Sequence, residues 1–217
     1  KKNNKNIKIT LQNDILNRKR LLIQLMKLLN CLEDNYIISL DGDWGVGKTF
    51  FIKQLLYLYD CENINEYIDE KNVDNVNKFK ETYVPIYYNA WENDNHDDVI
   101  ESIIYNILDI FPKYKKDLSK KKQDFEEIVK PFLMNIIEKG SLGIISKETL
   151  KNIKSFDDLA KNVITTEEKK NNLYEIFNLL TDNSIRILLI IDELDRCRPD
   201  YAIKVLETIK HFFDYDK

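Results

Sequence analysis

Gly42-Asp43-Trp44-Gly45-Val46-Gly47-Lys48-Thr49 is the stretch on which the reading of this chain turns. It matches G-x-x-x-x-G-K-[ST] at every fixed position. Ahead of it, Tyr36-Ile37-Ile38-Ser39-Leu40 is a short apolar run bounded by turn residues, the pattern of a buried parallel strand. Behind it, Phe50 to Tyr59 is almost continuously apolar and long enough for a buried helix. Strand, glycine-rich loop and helix therefore follow one another, which is the context that gives the motif its meaning. The chain holds only 5 glycines, and three of them fall between Gly42 and Gly47.

Each residue type in the loop has a physical reason. Glycine lets successive backbone N–H groups turn inward around phosphate oxygens without Cβ clashes, while the following helix presents its positive end to the same anion. Lys48 supplies a mobile cation for the β- and γ-phosphates, and the Thr49 hydroxyl is a ligand for Mg²⁺. Asp43, Trp44 and Val46 occupy the variable positions and contribute N–H groups. The expected nucleotide-binding set is thus Gly42, Asp43, Trp44, Gly45, Val46, Gly47, Lys48, Thr49 and Phe50. Trp44 has two readings, packing beside the loop or stacking on a base, and the first is favoured.

A second carboxylate-bearing element is expected near the other end. Ile185 to Ile191 is the most hydrophobic strand candidate, and it delivers Asp192 and Glu193 at its end. In that arrangement Asp192 would serve the Mg²⁺ shell, and Glu193 would be the base that polarises an attacking water, with Lys48 sharing the catalytic work. Asp195, Arg196 and Arg198 follow closely. An Asp195 to Arg196 ion pair and a charge sensor near the γ-phosphate are both open. Neither D-x-x-G nor N-K-x-D occurs, so GTPase signatures are missing and ATP is the expected nucleotide.

Between these motifs the pattern is mixed. Asp14 can cap a helix running to about Leu32, with Leu22, Leu25, Met26 and Leu29 at helical spacing. Asp60 to Glu81 is rich in Asn, Asp and Glu and reads as a connection. Val84 to Tyr88 is a second strand, closed by Asn89-Ala90-Trp91-Glu92. From Asp97 to about Thr181 the pattern is helical, with capping spacings at Ser155/Asp158 and Thr165/Glu168. Pro199 opens a last helix, buried through Ala202, Val205, Leu206, Ile209, Phe212 and Phe213. This divides the chain into residues 1–96, the first part of the core; 97–182, a helical insertion; and 183–217, the acidic strand and its helix.

Composition closes off several classes. At 217 residues the chain can bury a core without disulfides, and its 3 cysteines form no paired metal-binding spacing with its 2 histidines. The 33 basic residues are outnumbered by 37 acidic ones, so no positive excess is available for nucleic acid. The lysine-rich run from Lys113 to Lys122 is followed at once by acidic residues and reads as a solvated helix face. No apolar run reaches the ~20 residues of a spanning helix, and Lys1 to Lys8 does not resemble a secretory signal. The expected address is cytoplasmic, with any membrane attachment supplied by parts outside this chain.

Three motifs in order, the tryptophan-bearing loop Gly42 to Thr49, Asn89-Ala90-Trp91-Glu92, and Ile190-Ile191-Asp192-Glu193-Leu194-Asp195-Arg196-Cys197-Arg198-Pro199, resemble the KAP family of P-loop NTPases. The resemblance spans about Asp14 to Phe213. It implies a three-layer α/β P-loop fold of the additional-strand, catalytic-Glu class, and a function in membrane-associated signalling complexes or phage exclusion; a homo-oligomer or a partner protein is a separate expectation. The family often has Asp-Asp where this chain has Asp192-Glu193, which favours hydrolysis. Two functions compete: a Mg-ATP hydrolase that drives a conformational or assembly switch, and an ATP-loaded scaffold with negligible turnover. A small-molecule kinase would want a basic lid and an acceptor pocket, for which no distinctive sequence stands out.

In the fold so implied, two strands that come later in sequence flank Tyr36 to Leu40. The expectation is therefore that the polypeptide continues past Lys217, the C-terminal strands being absent from this chain, and that residues 1–217 alone leave that strand without neighbours.

Overall fold

The computed structural model describes residues 2–96, 98–114, 171, 173, 174, 177 and 185–213. Most of the expected helical insertion, including both capping spacings, lies outside the described residues. The chain divides into two compact units, one reaching from the N-terminus to Pro85 and the other from Ile86 to Phe212.

The first unit is helical. α1 (Lys2–Asn13) and α2 (Arg18–Asn30) are joined through Asp14, whose Oδ1 accepts the backbone N–H groups of Arg18 at 2.7 Å and Lys19 at 3.1 Å. α2 thus starts at Arg18, with Asn17 at its N-cap, and not directly after Asp14 as expected; the Asp14 carboxylate reaches forward to satisfy donors that the first helical turn leaves orphaned. α3 (Lys48–Asp60) follows the glycine-rich loop, and α4 (Glu70–Thr82) lies in the stretch whose polar composition reads as a connection. Its own apolar positions explain the difference: Val76 and Phe79 are fully buried, and α4 packs on the buried face of α2 formed by Leu22, Met26 and Leu29. The Asn30 side-chain amide also donates to the Asn75 carbonyl at 2.9 Å. α1 docks on α3, burying Ile7 and Leu11, with the Gln54 amide donating to Thr10 Oγ1 at 3.2 Å.

Tyr36 to Leu40 forms no strand, contrary to the sequence expectation. Ile37 is 67% exposed and Ile38 45%. A strand requires a ladder partner for its N–H and C=O groups, and none of the described residues pairs with this segment.

The second unit contains the sheet. β1 (Tyr83–Asn89), whose first three residues precede the unit boundary, pairs with β2 (Arg186–Asp192). The Ala90 N–H donates to the Asp192 carbonyl at 3.0 Å, which brings the C-terminal ends of both strands level, so they run parallel. Among the described residues the sheet has two strands, and β2 is correspondingly half-exposed except at Ile190. Two helices contribute to this unit's core: α5 (Val99–Tyr114) through Ile103, Ile104 and Ile107, and α6 (Pro199–Phe213) through Tyr201, Val205 and Ile209. At the centre the Tyr88 hydroxyl bonds to Tyr201 Oη and to Ser102 Oγ, which in turn donates to the Val99 carbonyl at 2.9 Å. A buried polar group left unpaired would cost about 1–3 kcal/mol, so this shared network is what permits two tyrosines inside the core.

Candidate nucleotide-binding and catalytic site

In the first unit, the loop from Gly42 to Gly47 is exposed and leads directly into α3 at Lys48. Gly45 has φ 83° and Gly47 has φ 89°, conformations that L side chains rarely adopt. A Cβ at Gly45 would meet nothing within 4 Å, so its backbone faces open space of the sort a phosphate nest needs. Lys48 folds back on its own loop, its ammonium donating to the Gly42 carbonyl at 2.6 Å and the Asp43 carbonyl at 3.2 Å. Thr49 and Phe50 sit in the first turn of α3. Trp44 stands 81% exposed rather than packing beside the loop. The sequence reading missed Arg18, whose guanidinium donates to the Val46 and Gly47 carbonyls.

In the second unit, Asp192 and Glu193 lie at the C-terminal end of β2 and take different partners. Asp192 Oδ1 accepts the Glu193 N–H at 2.9 Å and Oδ2 accepts the Tyr87 hydroxyl at 2.9 Å. Burial, then the hydrogen bond to Asp192 and the charge of the neighbouring carboxylates, hold the Tyr87 hydroxyl well above the usual tyrosine range, so it remains a donor. Glu193 adopts a left-handed backbone, φ 58° and ψ 28°, which places it across the turn into the 3-10 segment Leu194–Arg196. Its carboxylate pairs with Arg196 at 3.3 Å and faces the Asn89 side-chain amide at 3.4 Å. Arg196 also lies over the Trp91 ring, 5.5 Å from its centroid. Arg196 therefore pairs with Glu193 and not with Asp195.

Asn89-Ala90-Trp91-Glu92 closes β1 as a side-chain-supported turn: Asn89 Oδ1 accepts the N–H groups of Trp91 at 3.1 Å and Glu92 at 3.3 Å. Beyond it, Asp94 receives the Arg198 backbone N–H at 2.9 Å and its Nε at 3.0 Å, while Arg198 Nη2 donates to the Asp94 carbonyl at 2.7 Å. These bonds, the backbone one foremost, hold the Asp94 carboxyl below its ordinary range. Burial and the carboxylates of Asp94, Asp195 and Glu193 push the Cys197 thiol up, which favours its neutral form. The two motifs that follow the strands are thus bound to each other by Arg196 and Arg198.

The model of the KAP family P-loop domain matches residues 18–217. The chain belongs to the KAP P-loop NTPase family. Its fold is accordingly the α/β P-loop NTPase fold, and its domain is a nucleotide-binding one. No curated protein and no solved structure matches the chain. Among the described residues of this KAP domain, no helix is long and apolar enough to cross a membrane, and no group of three His, Cys, Asp or Glu side chains gathers as a metal centre. Thr49 in the first unit carries a hydroxyl and Asp192 in the second a carboxylate, each by itself an oxygen donor of the type that Mg²⁺ takes.

Proposed function

We propose that the chain binds Mg-ATP through Gly42 to Phe50 and hydrolyses it, with Thr49 and Asp192 serving the metal and Glu193 the attacking water. The observation that carries this reading is the difference in partners between the two carboxylates at the end of β2. Two adjacent carboxylates have separate environments, Asp192 oriented by a hydroxyl and a backbone N–H, Glu193 turned away by its left-handed backbone toward Asn89 and Arg196. Environments that differ in this way allow two like groups to take different roles. Lys48 leaves the Gly42 and Asp43 carbonyls to meet the β- and γ-phosphates, exchanging neutral acceptors for charged ones. Mg²⁺, when bound, supplies charge neutralisation and orients the phosphate oxygens. Glu193 accepts a proton from water once its bond to Arg196 is exchanged. Turnover then drives a conformational or assembly switch, with phage exclusion its biological setting and the cytoplasm, or a membrane reached through other parts, its location.

A second reading has its own support. The Arg196 ion pair engages the Glu193 carboxylate, and a chain that keeps that pair would be an ATP-loaded scaffold with negligible turnover. Two variants separate the readings. Lys48→Ala is expected to lose Mg-ATP binding in calorimetry while keeping the wild-type melting transition. Glu193→Gln is expected to bind Mg-ATP as wild type does and to hydrolyse it about 10² to 10⁴ times more slowly. A wild-type protein that binds without turnover would establish the scaffold.

A further inference from the structure

We infer that Arg18 is a positioning residue for the phosphate-binding loop, acting through the peptide groups that carry the N–H donors of Gly47 and Lys48. The inference rests on the nucleotide-binding reading above. Arg18 lies 28 and 29 residues before its two partners, donating from Nη2 to the Val46 carbonyl and from Nη1 to the Gly47 carbonyl at 3.3 Å. Its fork therefore spans two successive peptide groups, a geometry that a planar guanidinium provides and an ammonium does not.

The consequence follows from peptide planarity. The peptide groups of this loop are trans, so each carbonyl points opposite to the N–H of the next residue. Pinning the Val46 carbonyl fixes the direction of the Gly47 N–H, and the Gly47 carbonyl, which Arg18 shares with the Phe51 N–H at 2.9 Å, fixes that of the Lys48 N–H. Those are two of the donors that a phosphate nest presents inward. Arg18 thus holds the carbonyl side of these two peptide groups and leaves their N–H side for the anion. Donors aimed in advance cost no reorientation when the ligand arrives.

Two further observations fit this role. A Cβ at Gly47 would lie 2.8 Å and 2.9 Å from the two terminal nitrogens of Arg18, so the glycine is required for the guanidinium's approach as well as for its own φ of 89°. Arg18 is itself anchored, because its backbone N–H, together with that of Lys19, donates to Asp14 Oδ1, at 2.7 Å. The start of α2 and the shape of the loop are thereby linked through a single residue.

The test compares Arg18→Lys and Arg18→Ala in the whole chain. The amide resonances of Gly47 and Lys48 are followed with Gly45 as the internal reference, and Mg-ATP affinity is measured by calorimetry. Both variants are expected to move the Gly47 and Lys48 amides and weaken Mg-ATP binding about tenfold, the scale of one charge-assisted hydrogen bond. Thermal melting checks that each variant is folded, and Arg18→Lys keeps the charge so that loss of the fork alone is read. Unmoved amides, or wild-type affinity in Arg18→Lys, would overturn the assignment. If the wild-type protein itself bound no Mg-ATP, the nucleotide reading would fail, and the amide comparison would decide the positioning role by itself.

Discussion

The Tyr87 hydroxyl donates to Asp192 Oδ2 at 2.9 Å across the two strands of the sheet. β1 thus orients the carboxylate that β2 carries, because the parallel register sets both C-terminal ends level. Tyr87→Phe removes only that donor and leaves a half-buried ring of the same shape. Outer partners of metal-binding carboxylates are typically worth about 10- to 100-fold in metal affinity or activity. The expected outcome is a Mg²⁺ requirement for ATP turnover shifted upward by that factor, with an unchanged melting temperature. A magnesium titration of Tyr87→Phe at saturating ATP reads it, and an unshifted midpoint would remove Tyr87 from the site.

Glu193 holds φ 58° without being glycine. A left-handed conformation costs an L residue about 1–2 kcal/mol, and only a glycine is spared. Comparing Glu193→Gly with Glu193→Ala isolates that cost, since both lose the carboxylate and its bond to Arg196. The glycine variant is expected to be more stable than the alanine one by about 1 kcal/mol in urea denaturation, after allowance for glycine's freer unfolded chain. Equal stabilities would mean that the strained turn relaxes.

What could be read from sequence was local, and what could not was contact between distant residues. The loop Gly42 to Thr49, α3, both sheet strands and the start of α6 at Pro199 were legible, because glycine geometry, apolar runs and proline placement act within a few residues. α4 was not, since Val76 and Phe79 are scattered among Asn, Asp and Lys and declare themselves only against α2. α1 was hidden in the same way, with Ile7 and Leu11 set among polar neighbours. At the site, Asp192 and Glu193 were legible as a pair, whereas Tyr87, Asn89 and Arg18 acquire their roles only through partners 105, 104 and 28 residues away.

Tyr67, Tyr87, Tyr88 and Tyr201 all have hydroxyls held above the ordinary tyrosine range, Tyr87, Tyr88 and Tyr201 first by burial and Tyr67 first by its hydrogen bond with Tyr57. The sign follows from linkage. Below pH 10 both folded and unfolded tyrosines are protonated and the contribution is fully present; as pH rises further, the unfolded chain ionises while the folded one resists, and stability is lost. The melting temperature is therefore expected to fall steeply above about pH 10, together with a rise in tyrosinate absorbance that coincides with unfolding. Tyr88→Phe should flatten this alkaline fall. Tyrosinate appearing well before the loss of structure would show that these hydroxyls are accessible in the folded protein.

The segment Tyr36 to Leu40 allows the observed arrangement to be set against the strand its sequence suggests. In the structure Ile37 and Ile38 are 67% and 45% exposed, so truncating either removes little buried surface. Ile37→Ala and Ile38→Ala are expected to change stability by less than about 0.5 kcal/mol, the range of ordinary surface substitutions. Met26→Ala, on the fully buried face of α2, provides the contrast and is expected to cost about 2–5 kcal/mol through lost transfer energy and a cavity. Urea denaturation of the three variants decides between the arrangements. If Ile38→Ala were as costly as Met26→Ala, the segment would be a buried strand paired with chain that the described residues do not include, and the exposed arrangement would be refuted.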